Sequence, residues 1–158
     1  MISQRSRYAL KALISLARLG RGEARSTRLI AADEGIPSAF LEQIMIDLKR
    51  AGFIASRRGK EGGYFLDKDP SELSLATIMR HVDGPVAPLP CLSRTAYRRC
   101  EDCAEEASCA LRAILSETYE AALAVLEKRT LGEALARADL EFSEQGKFGP
   151  DVFMGAFI

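Results

Sequence analysis

The sequence predicts a mainly α protein with one small β-hairpin, built as a winged helix-turn-helix domain plus a long C-terminal dimerisation helix. Three observations carry that prediction. Over residues 26–51 a short capped helix, a glycine turn and a second helix with a polar outer side follow one another. At 52–66 two strand-like runs flank a basic, glycine-rich loop. At 111–126 an apolar helical stripe recurs with no local partner to cover it.

Each element has its own signal. Leu10, Leu13, Ile14 and Ala17 repeat at the helical period and place a first helix over 7–19, closed by Gly20 and Gly22. Ser26 or Thr27 caps a second helix ending at Glu34, where Gly35 supplies the left-handed conformation that helix C-termini favour. Ile36-Pro37-Ser38 opens a third helix to about Ala51, with Phe40, Leu41, Ile44, Met45 and Leu48 on its apolar face. Residues 52–56 and 63–66 read as strands around the loop 57–62, a wing. Ser74 caps a fourth helix to about Val82, after which Gly84, Pro85, Pro88 and Pro90 break regular structure. Helix resumes from Cys109 to Glu127, with Leu111, Leu115, Thr118, Ala122 and Leu126 on one stripe and Ile114, Leu123 and Val125 widening it. Thr130 and Glu133 fit a capping box that begins a last short helix, and past Glu141 no periodicity remains. The expected organisation is a DNA-binding domain at 1–83, a cysteine-containing sensor loop at 84–108, the dimerisation and terminal helices at 109–140, and a tail at 141–158.

Composition narrows the function classes. No apolar run reaches the roughly 18 residues of a membrane span, and the N-terminus carries no signal-peptide core, so the expected location is the cytoplasm, away from membranes. The formal net charge of zero conceals a division: residues 1–65 carry +6 and residues 66–158 carry −6. The basic part is the candidate surface for double-stranded DNA. Catalysis is disfavoured, because the chain has one histidine, no phosphate-cradling glycine loop after a strand, and no thioredoxin-like frame around its CxxC. A winged helix that binds proteins instead of DNA is the rival of another class, and the +6 first part is what separates the two readings.

The residues expected to meet DNA follow from the geometry of groove recognition. Ser38, Ala39, Glu42 and Gln43 occupy the leading, outward part of the third helix, where Glu42 suits a cytosine amino group and Gln43 an adenine edge. Lys49 lies farther back on the same helix. In the wing, Arg57, Arg58 and Lys60 are placed to meet phosphates or a narrow minor groove, with glycines permitting close approach.

Cys91, Cys100, Cys103 and Cys109 account for every cysteine and fall within 84–109. In a reducing compartment such clustering points to metal binding or redox chemistry rather than structural disulfides. Four thiolates suffice for an iron–sulfur cluster or for zinc, and a thiol switch using Cys100 and Cys103 is the third reading. The lone His81 reads as a packed or solvent-facing side chain rather than a ligand.

Arg7-Tyr8-Ala9-Leu10, Ile36-Pro37, Phe40-Leu41-Glu42-Gln43-Ile44, Ser56-Arg57-Arg58-Gly59 and Gly62-Gly63-Tyr64 together resemble the Rrf-two family of bacterial winged-helix regulators. The resemblance covers about residues 1–140. It implies a homodimer, joined through the helix after the cysteine segment, on a roughly palindromic operator. It also implies a [2Fe–2S] or [4Fe–4S] cluster on three cysteines, for which Cys91, Cys103 and Cys109 match, with Cys100 as a further candidate ligand. The sequence departs from the family pattern in the long interval between Cys91 and Cys103, in the extra Cys100, and in the absence of a histidine after Cys109. Arg112 stands where one subgroup has its fourth ligand, and Arg7 and Tyr8 occupy the region from which another draws an aspartate.

Overall fold

A computed structural model describes residues 2–59 and 62–145, the last seven as backbone only. Six helices and one hairpin follow in the order α1 (Gln4–Ala17), α2 (Thr27–Glu34), α3 (Ser38–Arg50), β1 (Ile54–Arg57), β2 (Gly63–Leu66), α4 (Leu75–Asp83), α5 (Ala110–Lys128) and α6 (Leu131–Gln145). Single 3-10 turns at Pro70–Glu72 and Pro90–Leu92 interrupt the connections. The fold is mostly helical with a two-stranded antiparallel wing, as the sequence patterns require.

Local capping chemistry fixes most boundaries. Ser26 caps α2 by accepting from the Leu29 amide, and Gly35 closes it at φ 64°. Ser74 caps α4 through the Thr77 amide. Thr130 and Glu133 form the reciprocal capping box of α6: the Glu133 amide donates to Thr130 Oγ1 at 3.2 Å, and the Thr130 amide donates to Glu133 Oε2 at 3.4 Å. Several boundaries differ from expectation, among them the end of α1 at Ala17 and the start of β1 at Ile54. α1 starts earlier, because Ser3 caps it and is itself held by Asp83 at the end of α4, 80 residues away. α6 runs to Gln145, past the point where periodicity fades; residues 146–158 of the expected tail lie outside the described residues.

The main core joins α1, α2, α3 and the strand region, with Leu13, Ile30, Leu41, Met45, Leu48 and Ile54 among its fully buried side chains. On α1 the innermost face is Ala9, Ala12, Leu13 and Leu16, while Leu10, Ile14 and Ala17 are only half-buried. Short alanine side chains let the helix axes approach closely, and that selects the face. Leu131, at the start of α6, returns to this core and its amide donates to the Leu73 carbonyl at 2.8 Å. A second, smaller core gathers Ala76, Tyr119 and Leu123 and attaches α5 to α4.

The wing is pinned at its base. Beyond the β1–β2 pairing, Tyr64 exchanges two 2.9 Å backbone hydrogen bonds with Arg25, in the segment leading into α2. A side chain at Gly63 would bring its Cβ to 2.3 Å from the Arg25 carbonyl oxygen, so only glycine admits this approach. Gly63→Ala is therefore expected to lower stability by roughly 1–3 kcal/mol through backbone overpacking, read as an earlier denaturation midpoint. An unchanged midpoint would mean the wing is not held by this strand pairing.

Candidate DNA interface and cysteine pocket

α3 separates its two faces cleanly. Leu41, Ile44, Met45 and Leu48 are buried, and Ser38, Ala39, Glu42 and Gln43 are exposed on the other side. Among the described residues no side chain hydrogen-bonds to cap the helix at Pro37, and its first turn holds no acidic residue to offset the positive end of its dipole. Phe40 departs from the expected apolar core face: it is 45% exposed and packs edge-on against Tyr8 at 5.8 Å, with the Arg7 guanidinium 5.6 Å from the Tyr8 ring. The three side chains join the N-terminal part of α3 to α1.

The wing and α3 form one connected surface. Lys49 is exposed and its Nζ donates to Ser56 Oγ at 2.7 Å, so it ties the end of α3 to β1. Arg57 ends β1 opposite Gly63, Arg58 follows in the turn, and both side chains are exposed with no ion-pair partner among the described residues. Lys60 lies outside the described residues. Three cations near the helix-turn-helix are paired within the protein: Arg5 with Asp47, Arg25 with Asp33 and Lys11 with Glu34. The wing arginines, without such partners, are charge available to an external partner.

All four cysteines line a single pocket of ≈ 330 Å³, walled also by Leu89, Leu111 and Arg112. Cys91 is buried in the 3-10 turn; Cys100, Cys103 and Cys109 are half-buried. Cys109 is the N-cap of α5, its Sγ accepting from the Arg112 amide at 3.4 Å. Among the described residues no three metal-ligating side chains converge tightly enough to hold one metal ion. The four thiols share one pocket wall without converging on a single point.

A polar relay that the sequence does not announce supports the pocket. Arg112 donates to the Cys91 carbonyl at 2.8 Å and to Glu106 at 3.0 Å, and the Tyr97 hydroxyl donates to the other Glu106 oxygen at 2.5 Å. A hydrogen bond with Cys91 holds the Arg112 pKa above its ordinary value, and the bond to Glu106 pushes that of Tyr97 up. Burial, then a hydrogen bond with Cys91, pushes the Cys100 thiol up as well. The sequence offers Arg112 only as a substitute at a ligand position, and nothing in the spacing of Tyr97 and Glu106 signals their pairing. His81 touches the Asp47 carbonyl and the Phe53 ring, and is not among the residues lining this pocket.

Known proteins share these features. The family model for Rrf2, described as an iron-dependent transcriptional regulator, matches residues 2–137. The chain belongs to the Rrf2 family. It is 45% identical over 139 residues to an rrf2-like HTH-type transcriptional regulator of Rhodobacter capsulatus, covering 86% of this chain and 93% of that one. It is 31% identical over 128 residues to the HTH-type transcriptional regulator NsrR of Geobacillus kaustophilus, covering 81% and 84%. Among solved structures, CymR, the global cysteine regulator of B. subtilis, superposes with a TM-score of 0.71 at 31% identity, over 87% of this chain and 97% of that one. This Rrf2 protein is thus a transcription regulator by family, with the winged-helix fold of its relatives.

Proposed function

We propose that this Rrf2 regulator works as a cytoplasmic homodimer that reads a roughly palindromic operator in double-stranded DNA and changes its affinity with the state of an iron–sulfur cluster in the cysteine pocket. The observation that carries the DNA-binding part is the continuous surface made by the exposed face of α3 and the wing, joined through Lys49 and Ser56. Glu42 and Gln43 present an acceptor and a bidentate amide to base edges. The uncapped amides at Ser38 and Ala39 offer donors to a phosphate. Arg57 and Arg58, joined by Lys60, supply cations to the backbone or the minor groove.

The donor set fits a cluster. Cys91, Cys103 and Cys109 would hold it, with Cys100 as the further thiol of the same wall. When bound, an iron–sulfur cluster supplies a redox-active and ligand-reactive centre whose properties depend on hydrogen bonds to its sulfurs. Here the Arg112 amide donates to Cys109 Sγ, and the Arg112 guanidinium brings positive charge beside Cys91. Because Cys109 is also the N-cap of α5, engaging its sulfur elsewhere removes a cap from the helix that carries Leu111 and Ile114 on its outer face. That couples the pocket to the surface through which two copies pair.

The test is anaerobic purification with iron and acid-labile sulfide analysis, followed by binding to duplexes selected from a random pool, before and after chelation of the iron. The expected result is coloured protein with stoichiometric iron and sulfide, and a shift of operator affinity of about tenfold or more, equal to about 1.4 kcal/mol. Protein lacking both elements would overturn the cofactor reading and leave the DNA reading standing. Absence of salt-sensitive duplex binding would overturn the DNA reading.

A further inference from the structure

Arg112, in the first turn of α5, reaches two cysteines of the pocket at once. Its Nη1 donates to the Cys91 carbonyl at 2.8 Å, and its amide donates to Cys109 Sγ at 3.4 Å. The same Nη1 donates to Glu106 Oε2 at 3.0 Å, and the Tyr97 hydroxyl donates to Glu106 Oε1 at 2.5 Å, so both carboxylate oxygens are engaged. Residues 91, 106 and 109 are thus tied to one side chain or its backbone directly, and residue 97 through Glu106. Arg112 and Glu106 are half-buried, where charge-assisted bonds gain strength from the lower local dielectric. Arg94, from the same segment, pairs with Glu120 two turns farther along α5, but both of those side chains are exposed and water screens them.

We infer that Arg112 is a positioning residue of the cysteine pocket: with Glu106 and Tyr97 it ties residues 97–106 to α5 and to the Cys91 turn, and so sets where Cys100, Cys103 and Cys109 stand against Cys91 in a chain that carries no cluster. A guanidinium cannot itself be a metal ligand, since it stays protonated and its nitrogens are donors only. What it can do is hold a planar set of donors against a carbonyl and a carboxylate at fixed geometry. Glu106 and Tyr97 brace it, because a carboxylate held at both oxygens is not free to turn away. Other contacts do less for this part of the segment. Leu92 packs on the second core and keeps only the beginning of it in place. The Arg98 amide donates to the Pro90 carbonyl and the Cys103 amide to the Cys100 carbonyl, each at 3.2 Å, and neither bond reaches α5. The relay does reach α5, so its loss frees residues 97–106 from the helix.

That the thiols so held receive a cluster rests on the cluster reading of the pocket; the positioning itself does not. The test therefore begins with the full-length chain freed of iron, in which amide hydrogen exchange over residues 97–109 is followed by mass spectrometry. Arg112→Gln should speed exchange there by at least about tenfold, the effect of losing charge-assisted bonds on a local opening. Exchange in α1–α4 and binding to random duplex should stay unchanged. Arg112→Lys, which keeps the charge and its donors, should recover most of the protection. Tyr97→Phe, at the exposed end of the relay, should speed exchange by roughly two- to tenfold, and should add little once Arg112→Gln is present, because the two act as one unit. Arg94→Gln should change exchange by less than about twofold. After reconstitution with iron and sulfide, Arg112→Gln should lose iron to a chelator at least about tenfold faster than the wild type. Unchanged exchange in Arg112→Gln, an Arg112→Lys chain as open as Arg112→Gln, an equal effect of Arg94→Gln, or iron held as firmly without the guanidinium would each overturn the assignment. Should Arg112→Gln fail to fold, Tyr97→Phe decides, and unchanged exchange in that chain overturns it. A wild-type chain that takes up no iron while exchange responds as expected would leave the positioning standing and overturn the cluster reading alone.

Discussion

Ile114→Glu combined with Val125→Glu is expected to give a folded monomer whose affinity for a selected operator is lower by roughly 10²–10⁴-fold. Ile114 is 69% exposed, Val125 57% and Leu111 58% on α5 of the single chain. With the exposed Thr118 and Ala122 they fall on one side of the helix by its 3.6-residue period. The side chains that hold α5 to its own protomer, Tyr119 and Leu123, lie on a different side and are untouched by the substitutions. Covering an apolar helix stripe with its symmetry copy is the commonest solution available to a chain of this size. Four carboxylates placed in such an interface cannot be desolvated cheaply. Monomeric mass by light scattering, unchanged circular dichroism and weakened operator binding are the three expected readings. A variant that stays dimeric, or binds as tightly as the wild type, would exclude α5 as the clasp.

The wing gives the second large effect. Arg57→Ala with Arg58→Ala should weaken binding to every duplex, selected or random, by roughly 10- to 100-fold at moderate salt, about 1.4–2.7 kcal/mol. The slope of log affinity against log salt should become shallower by about one unit for each phosphate that is no longer neutralised, counted over both wings of the proposed dimer. Sequence preference should survive, since Glu42 and Gln43 remain exposed on α3. The arginines are exposed and their removal leaves the pinned base of the wing, Tyr64 against Arg25, in place. An unchanged salt slope would remove the wing from the interface.

The wing and the clasp differ in how far the sequence shows them. The wing is visible as a basic glycine loop between short apolar runs, and it is a hairpin, although β1 begins at Ile54 rather than Gly52. The clasp is only half visible. Sequence periodicity merges Leu111, Leu115, Thr118, Ala122 and Leu126 into a single stripe, whereas the fold divides the helix. Leu126 packs on the side of Tyr119 and Leu123, and Leu111, Ile114 and Val125 face outward. Tyr119 does not stand out, because a tyrosine among alanines and glutamates carries no pattern of its own. Phe40 belongs to the core by its period and is instead drawn out to Tyr8. Among the candidate site residues, the exposure of Ser38, Ala39, Glu42 and Gln43 can be anticipated, but the bond from Lys49 to Ser56 cannot.

The amino-acid sequence by itself determined where α2, α4 and α6 begin and where α2 ends. Ser26, Gly35, Ser74 and the Thr130–Glu133 pair act across three or four residues, within reach of the backbone they satisfy. It also determined that one part of the chain is cationic and that four thiols lie close along it. Only the tertiary structure decided that β2 closes on Arg25, which side of α5 packs against α4, and that Arg112 bridges Cys91 and Glu106. Those meetings join segments whose separation along the chain carries no periodic or capping signal, and packing of the two cores is what brings the segments together.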